Sequence, residues 1–161
     1  MDAATLFHGQ SQRYAADSTT DSLGLAAWSL ETWQALFAHT SPVQLGSGDV
    51  LIRRGDQDRA LYFVVSGELE VRASASASDA LGQLFRESPG SVFGEISLFD
   101  GKARTATVWA TRPSELRKLD LPGLRAFMAQ HPGHGGELLF ALGQVLAMRL
   151  RRSEDSARRR D

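Results

Sequence analysis

The residues with the clearest capacity for chemistry lie between Pro89 and Ala110, in the run PGSVFGEISLFDGKARTATVWA. Gly94 lets backbone approach a ligand closely, Glu95 opens a short apolar turn through Ile96, Ser97, Leu98 and Phe99, and Arg104 stands with Thr105 in a strand-like run. These are the parts of an anion site. Backbone N–H groups at the start of a helical turn are unpaired and carry partial positive charge, so a phosphate is accommodated there without a nest of lysines. Arg104 supplies a full charge and a planar fork able to give two parallel hydrogen bonds, and Thr105 adds a hydroxyl.

The stretch resembles the phosphate-binding cassette of the cyclic-nucleotide-binding domain family, whose usual form is Phe-Gly-Glu, a small apolar turn, then Arg-(Ser/Thr/Ala)-Ala-Thr-Val. Here it reads Phe93-Gly94-Glu95-Ile96-Ser97-Leu98, then Arg104-Thr105-Ala106-Thr107-Val108. Two upstream blocks, Gly48 to Asp56 and Leu61 to Val71, are similar to the family's first strands and turns, so the resemblance covers roughly Trp28 to Ser153. It implies a mainly β fold with flanking helices: an antiparallel barrel of jelly-roll, double-stranded β-helix type with an N-terminal helix and a C-terminal helical lid. It also implies a cyclic nucleotide ligand, cyclic AMP ranked ahead of cyclic GMP. The ring phosphate would meet Arg104, Thr105 and backbone N–H groups around Ile96 and Ser97, with Phe93, Gly94 and Ala106 completing the cassette. Glu95 would accept from the ribose 2′-hydroxyl, and Ser153 on the last helix would reach the base. Thr105 occurs in family members of either nucleotide preference and does not decide between them.

These residues need a frame, and the periodicities supply one. Trp28, Leu30, Trp33, Leu36 and Phe37 recur at helical spacing between Ala26 and His39, predicting an amphipathic helix with both tryptophans in the core and Pro42 beyond its end. From Val43 the pattern changes to short apolar runs separated by glycine turns, an antiparallel β signature, with Gly48, Gly55 and Gly67 read as turn formers. Arg72 to Ala80, RASASASDA, is too poor in large side chains for core and reads as a hairpin tip. Gly82–Arg86, Thr107–Ala110 and Glu115–Leu119 read as strands, and Leu121–Gln130 as a short helix. The run from His131 to Gly136 reads as a hinge; its two histidines lack an acidic or cysteine companion for a metal. A final helix from Glu137 to about Ser153 carries a wide apolar face that can cover the ligand's base, pack on a second copy, or do both, with Leu142, Val145, Leu146 and Leu150 as lid or dimer residues. Residues 1–25 read as a flexible arm, 26–153 as the domain, and 154–161 as a basic tail.

The chain has 161 residues, 42% hydrophobic and 23% charged, enough for one domain with a proper core. Eighteen basic against nineteen acidic residues give a net charge of −1, unlike a protein built for nucleic acid or an anionic membrane. It has no cysteine, so disulfides and thiolate zinc sites are excluded, and no apolar run approaches the roughly 20 residues of a membrane span. A cytoplasmic location is expected. No nucleophile, metal cluster or carboxylate pair suggests catalysis, so a non-enzymatic receptor is expected, acting on an unidentified effector protein. The residues past Arg149 leave no space for a helix-turn-helix, so DNA binding is not expected. A ligand-independent or cyclic-dinucleotide-binding scaffold is the alternative.

Overall fold

The computed structural model describes residues 1–14, 22–73 and 83–159. Its frame is two four-stranded antiparallel sheets. One has the order β1 (Ser41–Leu45), β8 (Ser114–Asp120), β3 (Ala60–Ser66), β6 (Val92–Phe93); the other has β2 (Val50–Ile52), β7 (Ala106–Ala110), β4 (Leu69–Ala73), β5 (Gln83–Glu87). The jelly-roll arrangement is as expected, with the sheets remaining two open layers rather than a closed barrel. β3 explains why its sequence, ALYFVVS, is apolar without alternation: both of its faces are covered. Leu61, Phe63 and Val65 face a helical layer, whereas Ala60, Tyr62 and Val64 face the second sheet. Gly48, Gly55 and Gly67 all have positive φ, as the turn reading requires.

The helical layer corrects the reading of the N-terminus. Residues 1–25 are not a free arm throughout: α1 (Ala3–Tyr14) is a helix whose Phe7 is 2% exposed and packs on the rings of Trp33, Phe37 and Phe63 at 5.3–5.7 Å. Its buried stripe is Ala3, Ala4, Phe7 and Ser11, mostly small residues, so the helical period is real but carries little hydrophobic signal. α2 (Leu30–Phe37) is shorter than expected because Ser29 caps it, its hydroxyl accepting from the Thr32 N–H at 3.2 Å. Trp28 and Trp33 are core, as read from the sequence.

α4 (Leu121–Gln130) starts on the Asp120 cap, whose carboxylate accepts from the Gly123 N–H at 2.8 Å. After His131 the chain turns at once into α5 (Pro132–Arg158). The expected glycine hinge is therefore the first turns of a helix. Gly135 serves contact, not flexibility: a Cβ there would stand 2.7 Å from Cγ of Met128, so glycine is what allows α5 to lie against α4. α5 also runs past Ser153 to Arg158, taking most of the expected basic tail into the helix. Of its proposed lid or dimer residues, Leu142 and Val145 are buried in the protein's own core, Leu146 is half-buried, and Leu150 is exposed. The hairpin tip expected over 72–80 enters the described residues only at Arg72 and Ala73, the end of β4; the rest lies outside them, as do 15–21 of the arm and 160–161 of the tail.

Candidate functional site

Between β6 and β7 the chain makes the single helix α3 (Glu95–Asp100), bounded by left-handed glycines at Gly94 and Gly101. Gly94 is obligatory on two counts. Its φ is +94°, and a Cβ there would lie 2.5 Å from the Ala60 carbonyl oxygen and 2.9 Å from Nη1 of Arg104. The missing side chain is thus the space the guanidinium occupies. Phe93, just before it, is buried and stacks on Tyr62 with ring centroids 5.5 Å apart.

Arg104 is drawn inward as β7 begins. Its side chain is 4% exposed and donates from Nη1 to the Gly94 carbonyl (3.1 Å) and from Nη2 to the Ala60 carbonyl (2.8 Å) and Asp58 Oδ2 (2.9 Å). Its backbone N–H donates to the Asp56 carbonyl at 2.8 Å and its carbonyl accepts from the Gly55 N–H at 2.9 Å, locking the β2–β3 turn beside it. A guanidinium has five N–H donors. Among the described residues the buried Nε–H has no acceptor, a cost that a protein interior seldom leaves unanswered. Nε–H and Nη2 share one edge of the guanidinium, the edge that matches two oxygens of a phosphate.

Asp58 was not singled out from the sequence, where nothing distinguishes it from the other polar residues of its turn. Burial works to raise its pKa, but the hydrogen bond and charge of Arg104, the charge of Lys118 at 3.9 Å and the Tyr62 hydroxyl at 3.0 Å outweigh it, and the carboxyl is held below its ordinary value. The Tyr62 phenol is pushed up, first by burial and then by the Asp58 charge.

Glu95, at the first position of α3, is 3% exposed and accepts from Nη1 of Arg149 at 3.0 Å. Arg149 reaches in from α5, a residue to which the sequence reading gave no role at the site. Its Nη2 also donates to Glu87 Oε1 at 3.2 Å and to the Val92 carbonyl at 2.7 Å. One arginine thus ties the last helix to β5, β6 and the cassette. The structure brings Phe93, Glu95, Ser97 and Arg104 together as buried members of one cassette, with Gly94 half-buried among them. Ile96 and Thr105 are exposed, Ala106 is half-buried, and Ser153 lies exposed one helical turn beyond Arg149. Among the described residues no group of three or more His, Cys, Asp or Glu is placed to hold a metal, and no helix is long and apolar enough to cross a membrane.

Residues 42–131 match the profile of the cyclic nucleotide-binding domain. The chain belongs to this family. Among curated relatives, it is 35% identical over 89 residues to a putative potassium channel protein of Rhodopseudomonas palustris, a match covering 55% of this chain and 21% of the relative. It is 31% identical over 125 residues to a CRP-like cAMP-activated global transcriptional regulator of Mycobacterium tuberculosis, covering 76% of this chain and 52% of that protein. The chain therefore spans about half or less of the length of these relatives. Among solved structures, a cyclic nucleotide-binding domain from Methylobacillus flagellatus superposes with a TM-score of 0.76 at 22% identity, over 91% of this chain and 86% of that one. The catabolite activator protein of Thermus thermophilus gives 0.70 at 25% identity, over 82% and 60%.

Proposed function

We propose that this protein is a receptor for a 3′,5′-cyclic mononucleotide, with cyclic AMP ahead of cyclic GMP, and that it passes the signal through α5 to a protein partner. The observation that carries the reading is Arg104: buried, held by the glycine-bounded cassette, and left with an Nε–H that has no acceptor among the described residues. A phosphate on that edge satisfies Nε–H and takes the place of Asp58 at Nη2, so binding is an exchange of one anion for another, with no bare charge created. Thr105, exposed beside it, and the unpaired N–H groups of the first turn around Ile96 and Ser97 complete the phosphate's neighbours. The ribose 2′-hydroxyl donates to Glu95, and Ser153 faces the base.

Glu95 connects ligand to output. It is held by Arg149, so a ribose that takes Glu95 competes with the contact tying α5 to the cassette. The part of α5 able to respond is its end beyond Val145, because Leu138, Leu142 and Val145 are fixed in the core. A ligand moves that end only by its difference in affinity for the two arrangements; a hundredfold difference corresponds to about 2.7 kcal/mol. Titration calorimetry with cyclic AMP, cyclic GMP and cyclic di-GMP as separate arms tests the assignment. Heat with a mononucleotide supports it. Silence from both mononucleotides at protein concentrations well above micromolar overturns it, and heat with the dinucleotide alone reassigns the ligand.

A further inference from the structure

An open sheet edge is a row of unpaired N–H and C=O groups on which a further strand can form. Among the described residues, three of the four edge strands are blunted. β6 is two residues long, β2 is three and its register with β7 shifts between Val50 and Ile52, and β1 carries Pro42, which has no N–H to offer. β5 has none of these protections. Its five residues, Gln83–Glu87, contain no proline and pair with β4 in unbroken register from Leu69↔Glu87 to Ala73↔Gln83, while its other edge pairs with no strand. It also leaves an apolar side chain open on each face: Leu84 is 50% and Phe85 44% exposed. Phe85 lies opposite Val71 and so turns to the inner face of the sheet, whereas Leu84 and Arg86 lie on the outer face with Arg72, Glu70 and Trp109.

Charge on the outer face selects the partner. Arg72 is exposed, its Cζ 5.6 Å from the centre of the half-buried Trp109 ring, and the Arg86 side chain is 68% exposed. Arg54, also exposed, adjoins them: its N–H donates to the Thr107 hydroxyl, and Thr107 stands opposite Arg72. Against these three stands Glu70, whose side chain is 18% exposed with Arg86 already 3.7 Å away, while Glu87 is buried on the inner face. We infer that β5 receives an extended acidic segment of a partner protein as an added strand, its carboxylates on the outer face against Arg86 and Arg72 and its apolar residues on the inner face against Phe85. Main-chain hydrogen bonds hold the segment, and alternation of acid with apolar residue sets its register, since a slip by one residue puts carboxylates on Phe85 and apolar groups on Arg86. A second copy of this chain fits less well: β5 laid antiparallel on another β5 about Phe85 sets Arg86 opposite Leu84 and brings no carboxylate to the outer face. β5 ends at Glu87, which Arg149 of α5 holds at 3.2 Å, so an added strand lies beside an anchor of the last helix. The inference uses none of the nucleotide contacts and is independent of which ligand binds.

The test uses the full chain and a blocked, fluorescein-labelled heptapeptide in which glutamate alternates with valine, followed by fluorescence anisotropy. Saturable binding is expected, and no rise in anisotropy up to about 1 mM protein, the weak end of specific association, overturns the inference. Arg86→Glu, at an exposed position, is expected to raise the dissociation constant at least about tenfold without lowering the melting temperature, and to bind instead a peptide in which lysine replaces glutamate. A variant that keeps the parent's preference for the glutamate peptide overturns the placement at β5. Two further peptides, N-methylated on the glutamates or on the valines, separate strand addition from charge attraction. The N–H groups of one set face β5 and those of the other face away, so one peptide should bind at least about tenfold more weakly and the other as before; equal binding by both overturns the added strand. Tighter binding of a single-stranded oligothymidylate than of the glutamate peptide reassigns the face to nucleic acid, and a two-copy mass by light scattering that Arg86→Glu reduces to one copy gives the edge to a second chain; either result overturns the acidic partner. Calorimetry with cyclic nucleotide on the same samples is read separately, so failure of the strand site and failure of the ligand assignment are distinguishable.

Discussion

Arg104→Lys is the sharpest probe of the site because it keeps the charge and removes the fork. The arginine makes three hydrogen bonds in the free protein, two of them to main-chain carbonyls, from a side chain that is 4% exposed. A lysine ammonium has three donors but no planar edge. It can follow the carbonyls or the phosphate, and cannot give two parallel bonds to the latter. Losing one partner of a buried charged pair costs about 2–5 kcal/mol, which at about 1.4 kcal/mol per decade is roughly 30-fold to several thousand-fold in nucleotide dissociation constant. Lysine should fall at the low end and Arg104→Ala at the high end. The alanine variant carries a second cost, since the Gly94 and Ala60 carbonyls and Asp58 lose a donor together; about 2–5 kcal/mol of fold stability follows, less than the sum of separate bonds because the three share one side chain. The two effects separate when calorimetric titrations are run well below each variant's melting temperature, measured first by circular dichroism. An Arg104→Lys protein that melts normally and binds within threefold of the parent refutes the placement of Arg104 at the phosphate.

Three further variants have expected outcomes. Asp58→Asn removes the anion that the phosphate must replace, so nucleotide affinity should rise by about two- to tenfold, the worth of one such hydrogen bond; weaker binding would show that Asp58 acts by holding Arg104 in place. The same variant tests a pH effect. The Asp58 carboxyl is depressed in the fold, so its stabilisation is complete above its ordinary value of 3.8 and fades as pH falls through the lower folded value. Acid unfolding of Asp58→Asn should lose part of that limb, and superimposable acid curves would dismiss the contribution. Glu95→Gln should reduce discrimination between ribo- and 2′-deoxyribonucleotides, read as the ratio of two dissociation constants; an unchanged ratio means that Glu95 does not read the hydroxyl. Phe7→Ala should destabilise the domain by about 3–5 kcal/mol in urea unfolding, as for other buried phenylalanines, and a loss below about 0.5 kcal/mol would mean that α1 is not docked.

The sheets and the cassette were legible because their signals are local. Positive-φ glycines, apolar runs such as Leu61 to Val65, and the Gly94, Glu95 and Arg104 spacing each follow from the conformation or chemistry of a few neighbouring residues. What escaped is what tertiary contact decides. α1 is helical on the strength of Phe7 and a stripe of alanines that would mean little without the aromatic cluster beneath them. The glycines from Gly133 to Gly136 look like a hinge until Met128 shows why Gly135 must lack a side chain. Asp58 and Arg149 stand 46 and 54 residues from the site residues they hold. No spacing rule reaches across such separations, and charged residues in turns and near chain ends ordinarily face solvent. The same limit explains why two of the expected lid or dimer residues are core: hydrophobicity along α5 identifies Leu142 and Val145 as strongly as Leu150, and only packing divides core from surface.

Both arginines of the site are engaged by acids in the free protein, Arg104 by Asp58 and Arg149 by Glu95 and Glu87. Under the proposed function, binding exchanges acid–arginine contacts at two places, and affinity is a small difference between strong interactions. Such a balance is sensitive to the position of α5, because Arg149 is a side chain by which that helix meets β5, β6 and the cassette. An arrangement of α5 that keeps Arg149 on Glu95 must oppose a ligand that claims Glu95, and by linkage the ligand must weaken that arrangement by the same factor. Glu87→Gln removes one of the acids that draw Arg149 away from Glu95, so nucleotide binding should weaken. Unchanged binding would show that the nucleotide site and α5 are not coupled through Arg149.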